Sequence, residues 1–387
     1  MLHFDLAIVG GGLAGTSLAV ALRDSRLKIA LIEPAPPVRP SGWDSRVYAI
    51  SPANAAFLER IGVWRHLDTD RLAPVTAMDV RGDAGGRLGF SAYDTGVSEL
   101  AWIVESSLMA CELWECAKRQ GNLTLITPAR PRSLEFRHDA ALIGLEGSDP
   151  LSARLVVGAD GRDSWVRRTA GLSAENTPYG EKGVVANFAA TENHRSVARQ
   201  WFRDDGVLAW LPLPGNRISI VWSTPDDHAD LLCTLPPEEL CRRVAEAGAH
   251  VLGDFELLTP AAAFPLRLMR VPQTVAPRLA LVGDAAHGIH PLSGHGINLG
   301  FQDAAELASR LAGTQAWHDI GDPRFLAGYQ RARKEETLLL QTATDGLRRL
   351  FRNPSPGIRS LRNAGLGLTD SLPMIKNSLA RYALGAL

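Results

Sequence analysis

Three glycines near the start of the chain have the spacing of a nucleotide phosphate loop, and an acidic residue follows them. Gly10, Gly12 and Gly15 form a G-x-G-x-x-G pattern. The first allows a sharp turn, the second leaves space for a pyrophosphate against the backbone, and the third lets a helix pack closely on a strand. Glu33 can accept both hydroxyls of an adenosine ribose while its charge repels a 2′-phosphate. These residues therefore predict a site for FAD or NAD rather than NADP.

The segments around these residues have the pattern of a strand, a helix and a second strand. Apolar runs occupy 5–9 and 28–32, and a helical pattern lies between them. The N-terminus of that helix, at Leu13 and Ala14, offers free N–H groups to phosphates. Glycine patterns also occur in ordinary structural turns. The agreement of both strands, the helix and Glu33 is what favours a dinucleotide-binding unit.

Two further turns follow apolar strands later in the chain. Residues 155–157 lead into a turn that contains Asp160, and residues 279–282 lead into Gly283 and Asp284. An Asp-Gly turn is common, but open α/β sheets bind ligands at the carboxyl ends of their strands, where this one is expected. The loop after residue 283 can direct backbone N–H groups at a second part of the cofactor.

Three histidines in that second loop raise the alternative of a metal site. His287, His290 and His295 lie within nine residues. However, Pro291 and the glycines break the regular spacing, and no cysteine or carboxylate pair nearby completes a ligand set. The sequence therefore predicts no metal.

Length, charge and cysteine content narrow the class of protein. The chain has 387 residues and a net charge of −1, which suggests two or three domains and gives no support for nucleic-acid binding. Its four cysteines form no C-x-x-C pair, so a reducing cytoplasm is expected. The first strand begins almost at Met1, which argues against a cleaved signal peptide. No apolar run approaches about 18 residues, so no membrane-spanning helix is predicted.

A strand-rich region at 183–222 carries three tryptophans. Trp201, Trp210 and Trp222 bring large apolar surfaces to one antiparallel sheet. Two interpretations remain open: the tryptophans form the packed face of the sheet, or the sheet walls a pocket for an aromatic substrate.

The sequence segments GGGLAG with Glu33, GADGRDSWVR and GDAAHGIHPLSGHGINLG together resemble the flavin-dependent aromatic monooxygenases of the para-hydroxybenzoate hydroxylase type. Within that superfamily the chain is most similar to the ubiquinone-biosynthesis hydroxylases. The segments that carry this second resemblance are DSRVYAIS, IVESSL, RQWFRDDGVLAWLPL and FLAGYQRARKEE. The resemblance covers nearly the whole chain.

The resemblance implies a role for each matching residue. Contacts with the adenosine diphosphate half of FAD are expected at Gly10, Gly12, Leu13, Ala14, Gly15 and Glu33. Asp160 would serve the cofactor and incoming reduced nicotinamide, and Gly283 and Asp284 would hold the ribityl chain. The isoalloxazine ring would be bordered by Pro291, Gly294, Gly296, Ile297 and Asn298.

Two residues are candidates for a catalytic role. By resemblance Arg46 lies near the ring and the substrate, whereas the residues alone also allow a loop ion pair between Arg46 and Asp44. His295 stands between two glycines where relatives usually have glutamine, and a histidine there can gain a proton near neutral pH. An orientation of His295 toward solvent is the alternative.

The resemblance implies an α/β fold with a Rossmann-like FAD-binding domain of the glutathione-reductase type. That domain would be discontinuous, formed by 1–72, 103–180 and 266–345. A mixed-sheet substrate domain would be inserted at 73–102 and 181–265, and a helical tail would follow at 346–387.

The implied activity is hydroxylation of the aromatic ring of a polyprenyl-phenol in ubiquinone biosynthesis. Reduced flavin would take up O2 and transfer one oxygen atom through a flavin hydroperoxide, with electrons from NAD(P)H or another donor. Alternatives are hydroxylation of another small phenol, or a non-catalytic FAD-binding scaffold of a biosynthetic complex. The motifs of flavin reductases and halogenases are not evident.

The tail combines basic residues with leucines. This pattern fits peripheral contact with an anionic membrane, such as the inner face of the cell membrane, where a polyprenyl substrate resides. A helical lid on the FAD domain is the alternative interpretation.

Overall fold

The computed structural model describes residues 1–290, 294, 296–372 and 376. In chain order its strands are β1 (Leu2–Val9), β2 (Ile29–Ile32), β3 (Val47–Ile50), β4 (Ala73–Val75), β5 (Ala77–Arg81), β6 (Arg87–Ser91), β7 (Ala101–Glu105), β8 (Leu123–Ile126), β9 (Pro131–Phe136), β10 (Ala141–Leu145), β11 (Ser148–Gly158), β12 (Glu175–Ala190), β13 (Val197–Arg203), β14 (Gly206–Leu213), β15 (Arg217–Pro225), β16 (Phe255–Leu257), β17 (Ala262–Arg270), β18 (Val275–Ala276), β19 (Leu279–Leu281) and β20 (His287–Gly288).

The helices among these residues lie between the strands and after them. They are α1 (Leu13–Ala21), α2 (Pro52–Arg60), α3 (Ala92–Thr95), α4 (Ser106–Lys118), α5 (Trp165–Thr169), α6 (Asp226–Thr234), α7 (Pro237–Ala247), α8 (Gly296–Ala312), α9 (Pro323–Arg352) and α10 (Pro356–Ser371). In the part of the chain that the structure describes, no helix is both long and apolar enough to cross a membrane.

A mostly parallel sheet forms the nucleotide-binding half of the molecule. Strands β19, β11, β1, β2 and β8 lie side by side in parallel. Their residues are apolar without alternation because both faces of the sheet are covered, one by α1, α4 and α8 and the other by β9, β10 and α5. Leu6, Ile8 and Leu31 are fully buried. Helix α1 packs against α4 and α8. The predicted α/β fold is confirmed, and the parallel order places the loops after β1, β11 and β19 at one edge.

A second, largely antiparallel sheet has two faces with different uses. Its order is β20-β17-β12-β15-β14-β13-β5-β6. Trp201, Trp210 and Trp222 are buried on the face covered by α6 and α7, where they pack with Leu240 and Val244. The interpretation of the tryptophans as the packed face of the sheet is therefore correct, and the sheet also walls a cavity, but with residues of its other face such as Val185, Ala209 and Val221. The opposite face is open to a cavity.

Helix α9 connects the two sheets. At its N-terminal half the Tyr329 hydroxyl donates to the Leu281 carbonyl beneath the parallel sheet, at 2.9 Å. At its C-terminal end the Phe351 ring stacks on Phe202 of the second sheet, with centroids 3.6 Å apart. One helix of 30 residues, about 45 Å long, thus contacts both halves.

Helix α10 packs on the hairpin between β5 and β6 and bonds to its turn. Arg362 pairs with the Asp83 carboxylate, and both side chains are almost fully buried. The Asn363 amide oxygen accepts the Ala84 and Gly86 N–H groups at 3.1 and 2.9 Å. Helix α10 of the tail therefore covers the second sheet. The alternative that the tail forms a lid on the FAD domain is wrong for this helix, which packs on the other sheet. The tail segment Pro373–Ile375 and 377–387 lies outside the described residues.

Candidate functional site

The first loop is shaped so that a ligand can approach the backbone. Gly10 has a φ of +108°, which favours glycine. A Cβ on Gly15 would lie 2.0 Å from the Gly10 carbonyl oxygen, whereas a Cβ on Gly12 would meet no atom within 4 Å. Gly12 is also the N-cap of α1, and no side chain caps this helix. The first-turn N–H groups at Leu13 and Ala14 therefore face open space, which suits a pyrophosphate.

Glu33 follows β2 beside this loop. Its Oε2 accepts the Gly11 N–H at 2.5 Å, and its Oε1 lies 3.3 Å from the Ala35 nitrogen. The carboxylate is thus held at the strand end, where an adenosine ribose is expected. Its contact with a ribose remains a prediction.

Asp160 is bonded within its own turn. Its Oδ1 accepts the Ser164 hydroxyl at 2.5 Å, and its Oδ2 accepts the Val166 N–H at 3.0 Å. The side chain therefore has a structural role at the start of α5. A direct contact with the cofactor stays a prediction, since an oxygen engaged in this way has lone pairs left.

Arg167 joins the second loop to the third, a role that the sequence did not reveal. Its guanidinium donates to the Ala285 carbonyl at 2.8 Å and to the Arg162 carbonyl at 2.9 Å. Burial lowers the pKa of this side chain, which is 4% exposed. Arg167 thereby fixes the distance between two loops that are expected to contact the same cofactor.

The third loop begins with Gly283 in the left-handed region, at a φ of +60°. The next residue, Asp284, is exposed toward the cavity, and its carboxylate lies 3.9 Å from the Arg162 guanidinium. A carboxylate held there can accept hydroxyl groups, as the expected ribityl contact requires.

A buried charge cluster supports the third loop from below. Asp303 accepts the Gly283 N–H at 2.9 Å, contacts His287 Nε2 at 2.6 Å and pairs with Arg333 at 2.8 Å. Burial alone would lower the pKa of His287, but the Asp303 charge and hydrogen bond raise it. Burial would raise the pKa of Asp303, but His287 and Arg333 lower it. The pair is therefore held in its charged form.

Asn298 connects the start of α8 to the segment after Arg46. Its Oδ1 accepts the Ser51 N–H at 3.0 Å, and its Nδ2 donates to the Ala49 and Gly294 carbonyls at 2.8 and 3.2 Å. Gly294, Gly296, Ile297 and Asn298 all line the cavity. Pro291 and His295 lie outside the described residues, so the expectations for these two stay predictions.

Arg46 is exposed and lines the cavity. Its N–H donates to Asp44 Oδ1 at 2.9 Å, while Asp44 Oδ2 accepts the Ser107 N–H at 2.9 Å. The Asp44 carboxylate is thus occupied by two backbone amides, and no Arg46–Asp44 ion pair exists between the two side chains. The alternative of a loop ion pair is wrong, and the Arg46 side chain is directed to the cavity.

One cavity of about 1670 Å³ connects these parts. At one end it is bordered by Gly12, Asp284 and Arg46. It then follows the open face of the second sheet and reaches Phe351 and Leu361 of the tail helices. The nucleotide loops and an apolar distal region therefore share one continuous space.

Comparisons with known proteins agree with this arrangement. The family model described as an FAD binding domain matches residues 3–337. Ubiquinone hydroxylase UbiL of Rhodospirillum rubrum is 35% identical, over 99% of this chain and 90% of its own. The 3-demethoxyubiquinol 3-hydroxylase of Escherichia coli is 32% identical, over 98% of both chains. This chain belongs to the FAD-dependent hydroxylase family that contains these two enzymes.

Among solved structures, this hydroxylase resembles PqsL of Pseudomonas aeruginosa, described as a probable FAD-dependent monooxygenase. The TM-score is 0.78 at 24% identity, over 94% of this chain and 99% of the other. That likeness supports the fold. The family match and the two related hydroxylases show that the chain is an FAD-dependent aromatic-ring monooxygenase.

The residues present fit FAD. The hydroxylase offers an uncapped helix N-terminus with free space at Gly12 for a pyrophosphate, and Glu33 at the expected ribose position. Asp284 and the start of α8 border the cavity further along, toward Arg46. Two of the three histidines considered as metal ligands are instead engaged with carboxylates, His287 with Asp303 and His290 with Glu181.

Proposed function

We propose that this hydroxylase adds oxygen to the aromatic ring of a polyprenyl-phenol during ubiquinone biosynthesis. Its relatives named above are a ubiquinone hydroxylase and a 3-demethoxyubiquinol 3-hydroxylase, and both align over nearly their full length. Bound FAD, once reduced by NAD(P)H or another donor, supplies the activation of O2.

The continuity of the cavity is the observation that carries this proposal. A phenol alone would fill only the end near Arg46 and Tyr48. The cavity continues past this end along Val80, Phe202 and Leu366, which are apolar. A long hydrocarbon chain attached to the ring is a substrate that fills both parts.

The chain's own residues would orient the substrate and exclude water. The Asp44 carboxylate holds the segment that carries Arg46 against the start of α4, and the Asn298 amide holds it against α8. Tyr48 lines the same end of the cavity, and burial raises the pKa of its phenol, so it stays protonated and can donate a hydrogen bond. The apolar walls beyond it keep the reacting ring dry.

We also propose the remaining site contacts and the division into domains that the sequence predicts. The contacts are those of Gly10, Gly12, Leu13, Ala14, Gly15, Glu33, Asp160, Gly283, Asp284, Gly294, Gly296, Ile297 and Asn298 with FAD. The tail would then close the distal end of the substrate domain. The predicted boundary between the FAD domain and the tail, at residues 345 and 346, lies inside helix α9, which continues there without a break.

We also propose peripheral membrane contact, but through apolar side chains of the tail and not through its basic ones. The tail arginines are largely paired: Arg348 and Arg352 with Glu181, and Arg359 with Asp83. Their attraction to anionic lipids is correspondingly weakened. Exposed leucines on α10 remain, including Leu368 at 62% exposure, so an apolar contact through α10 is the better supported form.

The test is turnover by the purified, FAD-loaded protein with ortho-geranylphenol, a chemical reductant or NAD(P)H, and O2. The expected product is heavier than the substrate by one oxygen atom. Oxygen uptake without this product would contradict ring hydroxylation. Equal turnover of phenol and ortho-geranylphenol would favour the smaller substrates, and an FAD-loaded protein that consumes no oxygen with any donor would indicate the scaffold.

A further inference from the structure

The open face of the second sheet presents its side chains in rows across the strands. Because side chains alternate between the faces of a strand, residues paired across neighbouring strands share a row. The middle row is formed by Leu88, Val80, Gln200, Ala209, Val221 and Val185. All six line the cavity.

Gln200 differs from every other member of this row because it carries an amide. Its neighbours across the strands, Val80 and Ala209, are aliphatic. The side-chain amide of Gln200 makes no hydrogen bond with any residue in the described ranges, and the side chain is partly buried. An amide placed in an apolar wall without a protein partner costs stability unless a ligand or water satisfies it.

The position of Gln200 along the cavity is next to the cofactor end. The preceding row contains Met78, Ala198 and Leu211, which pack on residues of the small sheet that includes β3. That strand carries Tyr48 and Ala49, beside Asn298. Two residues of a strand span about 7 Å. Gln200 thus lies about 7 Å from the part of the cavity that borders the expected flavin site, a distance close to the width of one aromatic ring.

We infer that Gln200 binds an oxygen substituent on the aromatic ring of the substrate and thereby selects oxygenated rings. This inference rests on the proposed function and deepens it. A glutamine amide has an N–H2 group that donates and a carbonyl that accepts, so it can bind either a hydroxyl or an ether oxygen. Its cross-strand neighbours Val80 and Ala209 offer no competing partner, and the hydrogen bond also fixes which ring edge faces the cofactor.

The specificity follows from the cost of leaving this amide unpaired. When a ring without the oxygen binds, it buries the Gln200 amide and displaces water from it but forms no hydrogen bond with it. Sites built to bind a substrate oxygen therefore reject analogues that lack it. We therefore expect the wild-type protein to bind ortho-geranylphenol at least roughly tenfold more tightly than geranylbenzene, after allowance for their different hydrophobicity.

The experiment measures both dissociation constants with oxidised, FAD-loaded protein, in which no turnover occurs. Gln200→Leu and Gln200→Met remove the amide at nearly constant volume and should bring the two dissociation constants within about threefold of each other. Gln315→Leu makes the same chemical change on an exposed surface and should keep the wild-type preference. FAD content and the melting temperature check that each variant is folded.

The outcomes separate this inference from the proposed function. If both Gln200 variants keep the full preference, or if Ser223→Ala in the next row abolishes it while Gln200→Leu does not, the role of Gln200 is refuted and the proposed function stands. If the wild-type protein binds neither compound, the proposed function fails and this inference fails with it. A preference lost only in the two Gln200 variants supports the inference.

Discussion

The Asp303 carboxylate lies 2.6 Å from the His287 ring and 2.9 Å from the Gly283 amide, so one buried acid holds both a charged partner and a cofactor loop. Neither Asp303 nor His287 is expected to touch the substrate. Their role is to fix the position of Asp284, which follows the bonded glycine directly.

Removing this acid is expected to destabilise the protein strongly. Asp303→Asn leaves Arg333 and His287 without their buried carboxylate, a change that typically costs about 3–5 kcal/mol. Urea unfolding measures the loss, and FAD content at equal protein concentration measures the loosening of the loop. Glu306→Gln, which removes a surface partner of Arg310 on the same helix, is the control and should cost about 1 kcal/mol or less.

The same pair predicts how stability depends on pH. The pKa of His287 is raised, so its contribution is complete below its unfolded value of about 6.5 and is lost as pH rises through the folded value. The pKa of Asp303 is lowered, so its contribution is present above about 3.9 and is lost as pH falls through its folded value. Urea midpoints across this range should decline on both sides in the wild type. A profile that is unchanged in Asp303→Asn would contradict this assignment.

Two glycines of the first loop are expected to respond differently to a side chain. In Gly12→Val the added Cβ meets no protein atom within 4 Å, so the chain should fold but lose FAD because the pyrophosphate space is filled. Gly15→Ala places a Cβ against the Gly10 carbonyl and should lower the melting temperature itself. Absorbance of bound flavin and circular dichroism separate the two effects. Gly121→Val, at another open position, controls for the substitution, and equal flavin retention in Gly12→Val would refute the phosphate role.

The contact between α10 and the β5–β6 hairpin should depend on Arg362. Arg362→Met leaves the buried Asp83 carboxylate with one charged partner among the described residues, Arg359, beside the neutral Asn363 amide, so α10 should detach more often. Hydrogen exchange at Ala84 and Gly86, whose amides are bonded to Asn363, should accelerate about tenfold or more. Arg349→Met, at a side chain that is 68% exposed, should leave this exchange unchanged.

Membrane contact through α10 should be insensitive to salt, because the tail arginines up to residue 372 are paired with carboxylates of the protein. The double variant Leu368→Asn, Leu372→Asn should reduce sedimentation with anionic vesicles at both low and high salt. Leu231→Asn, an exposed leucine on α6, is the control. Binding that disappears in high salt and survives the double variant would show that charge, not the leucines, carries the contact.

Local patterns were sufficient to predict the nucleotide-binding half. The strand, the glycine turn and Glu33 are close in sequence, and their chemistry is determined by backbone geometry that only glycine allows at Gly10. The loops at Asp160 and Gly283 could be placed because parallel strands end at one edge. The hydrogen bonds of Asp160 within its own turn could not be foreseen, since a carboxylate has the same appearance in a sequence whether it faces a ligand or its own loop.

Contacts between distant segments could not be predicted in the same way. In the strand that carries Trp210, both faces are largely apolar, so alternation does not reveal which face meets α7. The partners of the tail arginines, such as Glu181 and Asp83, lie far away in the sequence. Composition alone therefore suggested a tail whose positive charges have no partners in the protein. The signal at Gln200 is one amide between Ala198 and Phe202 on the same face of β13. Its meaning depends on a row of side chains that five other strands complete.

The path of α9 has a consequence for how the protein is made. The helix and α10 leave the ribosome after every strand that they cover, so the phosphate loop and the open sheet exist before the distal wall of the cavity does. The nascent chain passes through a stage in which an apolar trough, including Phe202, is uncovered. Flavin loading at that stage is not obstructed by the tail, while aggregation through the uncovered trough is the hazard until synthesis of residues 323–371 is complete.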